Sequence, residues 1–381
     1  MPPSRKKLPP KMKYQSKHLI LMLMITCILI SFYKGYHASS MWSTNYYQLS
    51  YLDGFVKRAF IGTILYPLGC LRFNYYFIEA IQFIILFTDI ALLTYFCIKY
   101  KLEPIAIIFF ASAAGWFLVN TVGYIEQILW LITFLALLAL EKNRQLIASC
   151  LLLISALIHE TGFFITIPIA FGYMIIRNNK LSSYIKMFAP AILATTIIFI
   201  LFEVSPDSVL LSYPNTIASC GYSNPSLENY LFIYRPVLKN EELSLNYKSR
   251  HLPMLFAILC ISYLLRKLYQ TELSLPKTKG WLLILCCLAP LILGFYGFDA
   301  DRWIFETFAQ ILIISVLVLT HARNTNGSIK KLTVFYCLIA IIAISLNFKY
   351  FHEIPPRELT IEKISTFADF VKQQLVRIPE T

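Results

Sequence analysis

Long apolar runs separated by short polar or basic connectors dominate the chain. A helix needs about 20 apolar residues to cross a bilayer, and fewer where neighbouring helices bury it. Runs of this kind fall at 18–36, 74–98, 103–121, 127–141, 146–159, 162–176, 185–203, 252–269, 280–297, 303–320 and 332–350, eleven in all. Segment 59–71 is too short to span and carries Gly62, Pro67 and Gly69, so it reads as an interfacial or re-entrant piece. In 360–376, Ile361, Ile364, Ala368, Val371 and Leu375 share one helical stripe, the pattern of an amphipathic helix lying on a membrane surface or capping the bundle. The expected fold is all-α: a polytopic membrane bundle over 18–350, a basic tail at 1–17 and an amphipathic tail at 351–381.

Composition narrows the class. Hydrophobic residues make up 57% and charged residues 14%, against roughly 45–50% and 25% in soluble globular chains. Disordered, coiled-coil, collagen-like and disulfide-stapled secreted classes are excluded, and an ordinary soluble enzyme does not fit. Thirty-four basic against 21 acidic residues give +13, a balance that also suits nucleic-acid binders. No nucleic-acid-binding motif accompanies it, and cytoplasmic Lys/Arg explains the excess. With the N-terminus inside, inner segments hold 20 Lys/Arg, whereas the short outer connections hold five: Lys34, Lys57, Arg58, Arg72 and Arg302. The expected topology is N-in, C-out. The first run follows six basic residues as a signal peptide's would, but its length and the spans after it favour an uncleaved anchor over cleavage near Ala38. The nine cysteines show no metal-ligand spacing. A Cys70–Cys220 disulfide is one pairing the layout allows, and spacing alone does not establish it.

That topology sorts the polar residues onto the outer face. The first outer connection, MWSTNYYQLSYLDGFVKRAFIGTIL, combines Asp53 with two adjacent cations, Lys57 and Arg58, and the tyrosines 46, 47 and 51, with Tyr66 directly after it. Ionisable groups at a membrane boundary are costly unless wet or paired. Asp53 has the chemistry of a general base toward a sugar hydroxyl, and Lys57 and Arg58 that of a lipid-phosphate clamp. The alternative is an interfacial ion pair within an aromatic belt. His159 and Glu160 stand together between two apolar runs, suited to proton relay or to a satisfied helix end. Glu126 has no cation nearby in sequence and needs a wet cavity or a partner across the bundle. Asp299, Asp301 and Arg302 form a second charged turn, read either as a substrate contact or as a helix N-terminus. An acidic pair of that spacing is only part of a divalent-cation site, so no cofactor is assigned. Loop 204–251 has the length of a lid. Its prolines at 206, 214, 225 and 236 predict irregular backbone, its tyrosines (213, 222, 230, 234 and 247) offer sugar-stacking faces, and Arg235 offers an anion contact.

An acidic residue in the first outer loop of an N-in, many-span chain, flanked by basic and aromatic residues, resembles the GT-C class of membrane glycosyltransferases. Span number and one sizeable outer loop in the second half are also similar to Wzy-type O-antigen and capsule polymerases. The resemblance covers architecture over most of the chain, and its matching residues are confined to Tyr51–Gly62. It lacks the soluble C-terminal domain and the paired acidic motif of the large GT-C enzymes. It implies a bacterial inner-membrane enzyme acting on polyprenyl-phosphate- or pyrophosphate-linked saccharides, alongside envelope polysaccharide assembly proteins, with Asp53 as base. A transporter or flippase would instead use mid-span ionisable groups, of which Glu79, Asp89, Glu203 and Glu306 are the candidates. A non-catalytic scaffold would depend on none of these charges.

Overall fold

A computed structural model describes residues 10–53, 58–177, 179–202, 207–224, 251–273, 276–295, 300–322 and 356–376. Among the described residues the chain is helical throughout, with no strand. In chain order the helices are α1 (Pro10–Gly35), α2 (Met41–Gln48), α3 (Phe60–Leu65), α4 (Tyr75–Lys99), α5 (Glu103–Ala111), α6 (Ala113–Asn120), α7 (Ile125–Glu141) and α8 (Gln145–Ile158). They continue as α9 (Thr166–Ile176), α10 (Leu181–Phe202), α11 (Asp207–Ser219), α12 (Leu252–Leu273), α13 (Lys277–Leu288), α14 (Ala300–Ala322), α15 (Ile361–Ser365) and α16 (Phe367–Val376). Among the described residues four stretches, His18–Gly35, Tyr75–Lys99, Lys277–Gly294 and Ala300–His321, are long and apolar enough to cross a membrane. Counting α5 and α6 as one bent span makes five. Large apolar side chains such as Ile84, Phe87, Leu193 and Phe256 are exposed, the surface of a chain solvated by lipid rather than water.

Helix α14 is the axis of the bundle, 94% buried along its most apolar stretch, and packs on α9, α12 and α13. It is not purely apolar: Arg302, Glu306, Thr307, Gln310 and Ser315 lie on it. The Gln310 amide donates to the Phe164 carbonyl at 2.6 Å and the Ile165 carbonyl at 3.2 Å, satisfying backbone left open before α9 begins.

Several elements differ from expectation for identifiable reasons. The run 103–121 is not one rod, because the chain bends by 70° at Ser112. Ser112 adopts extended backbone and its hydroxyl accepts from the Ala114 N–H, so it ends α5 and caps α6. Run 280–297 is α-helical only to Leu288 and continues as a 3-10 turn, Ala289–Phe295, where Pro290 cannot donate to the preceding turn. Run 162–176 likewise divides into a 3-10 turn, Glu160–Phe163, and α9. The short segment 59–71 is α3 followed by a 3-10 turn, Tyr66–Phe73. The start of loop 204–251 is not irregular: α11 continues through Pro214. The C-terminal stripe breaks at Thr366 into α15 and α16. Phe367, Phe370 and Val371 pack on the bundle, while Ile361 and Ile364 stay exposed. Run 332–350 and residues 225–250 lie outside the described residues.

The connections at one end of the bundle are tied together. Cys70 and Cys220 are disulfide-bonded with Cα atoms 5.4 Å apart, and the Asn74 amide donates to the Tyr222 hydroxyl at 3.3 Å. At the same end the backbone N–H of Arg357 donates to the Lys34 carbonyl at 3.2 Å. Both bridged cysteines are therefore expected to resist a thiol reagent until a reductant is added, and then to be labelled together, as read by peptide mass. Labelling of either one without reductant would contradict the bridge.

Close backbone approach fixes the first connection. A Cβ on Gly62 would stand 1.9 Å from the Leu49 carbonyl oxygen, so α3 seats against the end of α2 only with glycine there. Gly62→Val is expected to destabilise the chain by about 3 kcal/mol, seen as a lower Tm in detergent. An unchanged Tm would show that the α2–α3 contact is not as close as described.

Candidate functional site

Helix α2 is short, capped by the Ser40 hydroxyl, and buried from Ser43 to Gln48. Successive helical residues point about 100° apart, so Tyr46 and Tyr47 address different surroundings. The Tyr46 side chain lies within electrostatic reach of Arg58, Glu126, Glu160 and Arg302, and its ring centre is 6.1 Å from that of His159. Those residues come from the connection after α2, the first turn of α7, the turn after α8 and the first turn of α14. Burial is the main cause that raises the Tyr46 pKa; the two arginines oppose the rise and the two glutamates add to it. Its phenol stays protonated at neutral pH among two cations and two anions.

Two arginine–glutamate pairs flank it. The Arg58 guanidinium forks onto Glu160, with Nε donating to Oε2 at 3.1 Å and Nη2 donating to Oε1. Both side chains are only partly exposed, 21% and 15%. Arg58 holds this position with φ of +68°, a left-handed backbone that costs a non-glycine residue energy and that recurs at functional sites. The second pair is looser: Arg302 Nε lies 3.6 Å from Glu126 Oε1, an ion pair beyond hydrogen-bond length. The Arg302 guanidinium also stacks over the Trp303 ring at 4.3 Å. Glu126 thus finds its cation across the bundle.

His159 ends α8 in extended backbone. Its Nδ1 accepts from the Thr161 N–H at 3.0 Å and lies 2.9 Å from the Thr161 hydroxyl. An imidazole accepting at Nδ1 carries its proton on Nε2, so only the far nitrogen is placed to pass a proton. Glu160 Oε2 is 3.4 Å from Nδ1 and is spent mainly on Arg58. Tyr51 donates its hydroxyl to the Leu157 carbonyl at 3.0 Å; burial and then Glu160 raise its pKa to about 12.

The remaining sequence candidates divide. Asp301 points elsewhere than Arg302: its Oδ2 lies 3.4 Å from Nε2 of His251 at the start of α12. The backbone of Asp53 closes a 3-10 turn, Tyr51–Asp53, directly after α2. Lys57, Arg235 and Asp299 lie outside the described residues. Tyr213 is not a sugar-stacking face: it is buried, and its hydroxyl accepts from the Ser50 N–H at 2.6 Å. Of the tyrosines in or directly after the first connection, only Tyr66 is well exposed, and it stacks on Arg72 at 4.5 Å. Sequence reading missed an amide cluster beside the site. Asn224 donates to Asn45 Oδ1 at 2.6 Å and Gln48 Oε1 at 2.7 Å, drawing the segment after α11 onto α2. The available signal was the polar residues Thr44, Asn45 and Gln48, which lie close together on a buried helix. Among the described residues no group of His, Cys, Asp or Glu is arranged to hold a metal ion. No family model matches the chain, and no curated protein or solved structure matches it at a significant level.

Proposed function

We propose that the chain is an N-in membrane glycosyltransferase or polymerase. In this reading eleven spans carry it across a bacterial inner membrane, and it acts on the outer face on polyprenyl-phosphate- or pyrophosphate-linked saccharides. The observation that carries this reading is the gathering of Arg58, Glu126, Glu160 and Arg302 around Tyr46 from four separate connections. Charges gathered in one place stabilise one another at a membrane edge where isolated charges are expensive. The disulfide at the same end supports an oxidising outer compartment for that face.

The chemistry follows from the residue types. Asp53 takes the proton of the acceptor hydroxyl as its oxygen attacks the anomeric carbon. The bond from that carbon to the lipid phosphate breaks, and the phosphate leaves with the electron pair. Arg58 and Arg302 release part of their hold on Glu160 and Glu126 to neutralise the departing charge. Asn45, Gln48 and Asn224 offer amides of the kind that orient sugar hydroxyls. The test is to incubate the purified full chain in nanodiscs with lipid-linked saccharides and analyse the products. Lengthened saccharide together with free lipid phosphate is expected. Flux of intact lipid-linked saccharide without new covalent product would instead establish the transporter reading.

A further inference from the structure

The end of α12 and the start of α13 form a basic corner that the proposed transfer does not use. The His251 ring beside Asp301 places the start of α12 at the end of the bundle that holds the candidate site. Arg266 stands about 22 Å farther along that helix, at 1.5 Å per residue, and so toward the opposite end. Residues 263–281 carry four cations, Arg266, Lys267, Lys277 and Lys279, against one acid, Glu272. The Arg266 guanidinium stacks over the Trp281 ring at 4.1 Å and so joins α12 to α13, while Lys267 Nζ lies 5.0 Å from the Tyr263 ring centre. Gly280 lies against the same side chains: a Cβ there would stand 3.2 Å from Gln270 Nε2 and 3.6 Å from Arg266 Cγ. Arg266 and Gln270 are four residues apart and share one face of α12. Among the described residues, Arg266 Nε and Gln270 Nε2 are buried donors with no hydrogen-bond partner. Such donors cost free energy that an anionic acceptor restores. Both side chains are half-buried as a whole, so an acceptor at the rim reaches these donors by side-chain rotation, with no movement of a helix.

The neighbouring surface indicates where that acceptor comes from. Phe256, Leu259 and Tyr263 form an exposed stripe along α12 that ends in exposed Lys267, and Trp281, Leu282 and Leu285 are exposed on α13. Basic side chains and amphipathic rings at the end of a lipid-facing surface lie at the depth of phospholipid headgroups. We propose that this corner binds the phosphate of an anionic phospholipid from the leaflet opposite the candidate site, the inner leaflet in the topology proposed above. Arg266 Nε and Gln270 Nε2 donate to the phosphate oxygens, and Lys267 and Lys277 add positive charge. Trp281 holds the guanidinium in one plane, and the acyl chains lie along the exposed stripe of α12. The site shares no residue with the group around Tyr46, so it holds whether the chain transfers sugars or transports them.

Native mass spectrometry of the full chain, titrated with phosphatidylglycerol or with phosphatidylcholine of the same acyl chains, tests it. The wild type is expected to retain phosphatidylglycerol in preference to phosphatidylcholine. Arg266→Ala should weaken that retention about 10-fold, and Lys267→Gln combined with Lys277→Gln about 5-fold or more. Arg58→Ala, at the other end of the bundle, should not reduce it. Both lysines are exposed, so their double variant decides the matter where Arg266→Ala does not fold. Equal retention of the two lipids, or phosphatidylglycerol retention unchanged in the lysine variant, would overturn the proposal. Displacement of the lipid by millimolar inorganic phosphate would reveal a free-anion site and overturn it equally.

Discussion

Asp53→Asn is expected to lower product formation by about 10²–10⁴-fold, the worth of a positioned general base, while leaving the amount of protein in the membrane unchanged. Asparagine keeps the shape of the side chain and removes its capacity to accept a proton. Asp53 follows α2 by one 3-10 turn, and α2 carries Tyr46 into the group of arginines and glutamates. The expected change is in turnover with substrate affinity nearly preserved, because the lost interaction belongs to the transition state. Wild-type product from Asp53→Asn would remove Asp53 from the chemistry, and the comparison requires matched protein levels by quantitative blotting.

The second large effect is expected at Arg58. A charge-assisted hydrogen bond contributes about 1.5–3 kcal/mol, so Arg58→Ala should cost roughly 10–100-fold in transfer. Arg58→Lys should recover little, since a point charge cannot reproduce the two-pronged hold that guanidinium has on Glu160. The stability cost should be modest, about 1 kcal/mol, because both partners retain some contact with water. Glu160→Gln separates the roles. It frees Arg58 from its carboxylate, and a structural ion pair predicts loss of stability without loss of transfer beyond that of unfolding. Equal activity of Arg58→Lys and wild type would indicate a general electrostatic contribution in place of bidentate phosphate binding.

How far the sequence could be read depends on the range of the interaction. Long apolar runs set helix limits almost directly: run 74–98 appears as Tyr75–Lys99, because lipid-facing length is a local property. The break at Ser112 lies within continuous apolar character and shows only as a serine among small residues, too weak a signal against the run around it. Glu126 was legible as a residue in need of a distant partner, but nothing local identifies Arg302 as that partner. Arg58 and Glu160 were each legible as boundary charges, and their pairing depends on how α2, α3 and α8 pack. In sequence Tyr46 is one of an interfacial group of tyrosines, and its burial reverses that: it is the neutral centre on which four charges converge. Tyr213 misled for the same reason. An aromatic residue in a polar loop suggests a sugar face until a backbone N–H such as that of Ser50 claims its hydroxyl.

The claim on which the account turns is that Arg58 and Arg302, brought together from distant parts of the chain, bind one lipid-linked phosphate. Native mass spectrometry of the full chain with a polyprenyl-diphosphate-linked saccharide, compared with Arg58→Ala, Arg302→Ala and the double variant, measures this directly. Each single substitution is expected to weaken binding, and the double variant to lose less than the sum of the two effects, because both side chains hold the same phosphate. Binding undiminished in both single variants, with the folded protein intact, would contradict it.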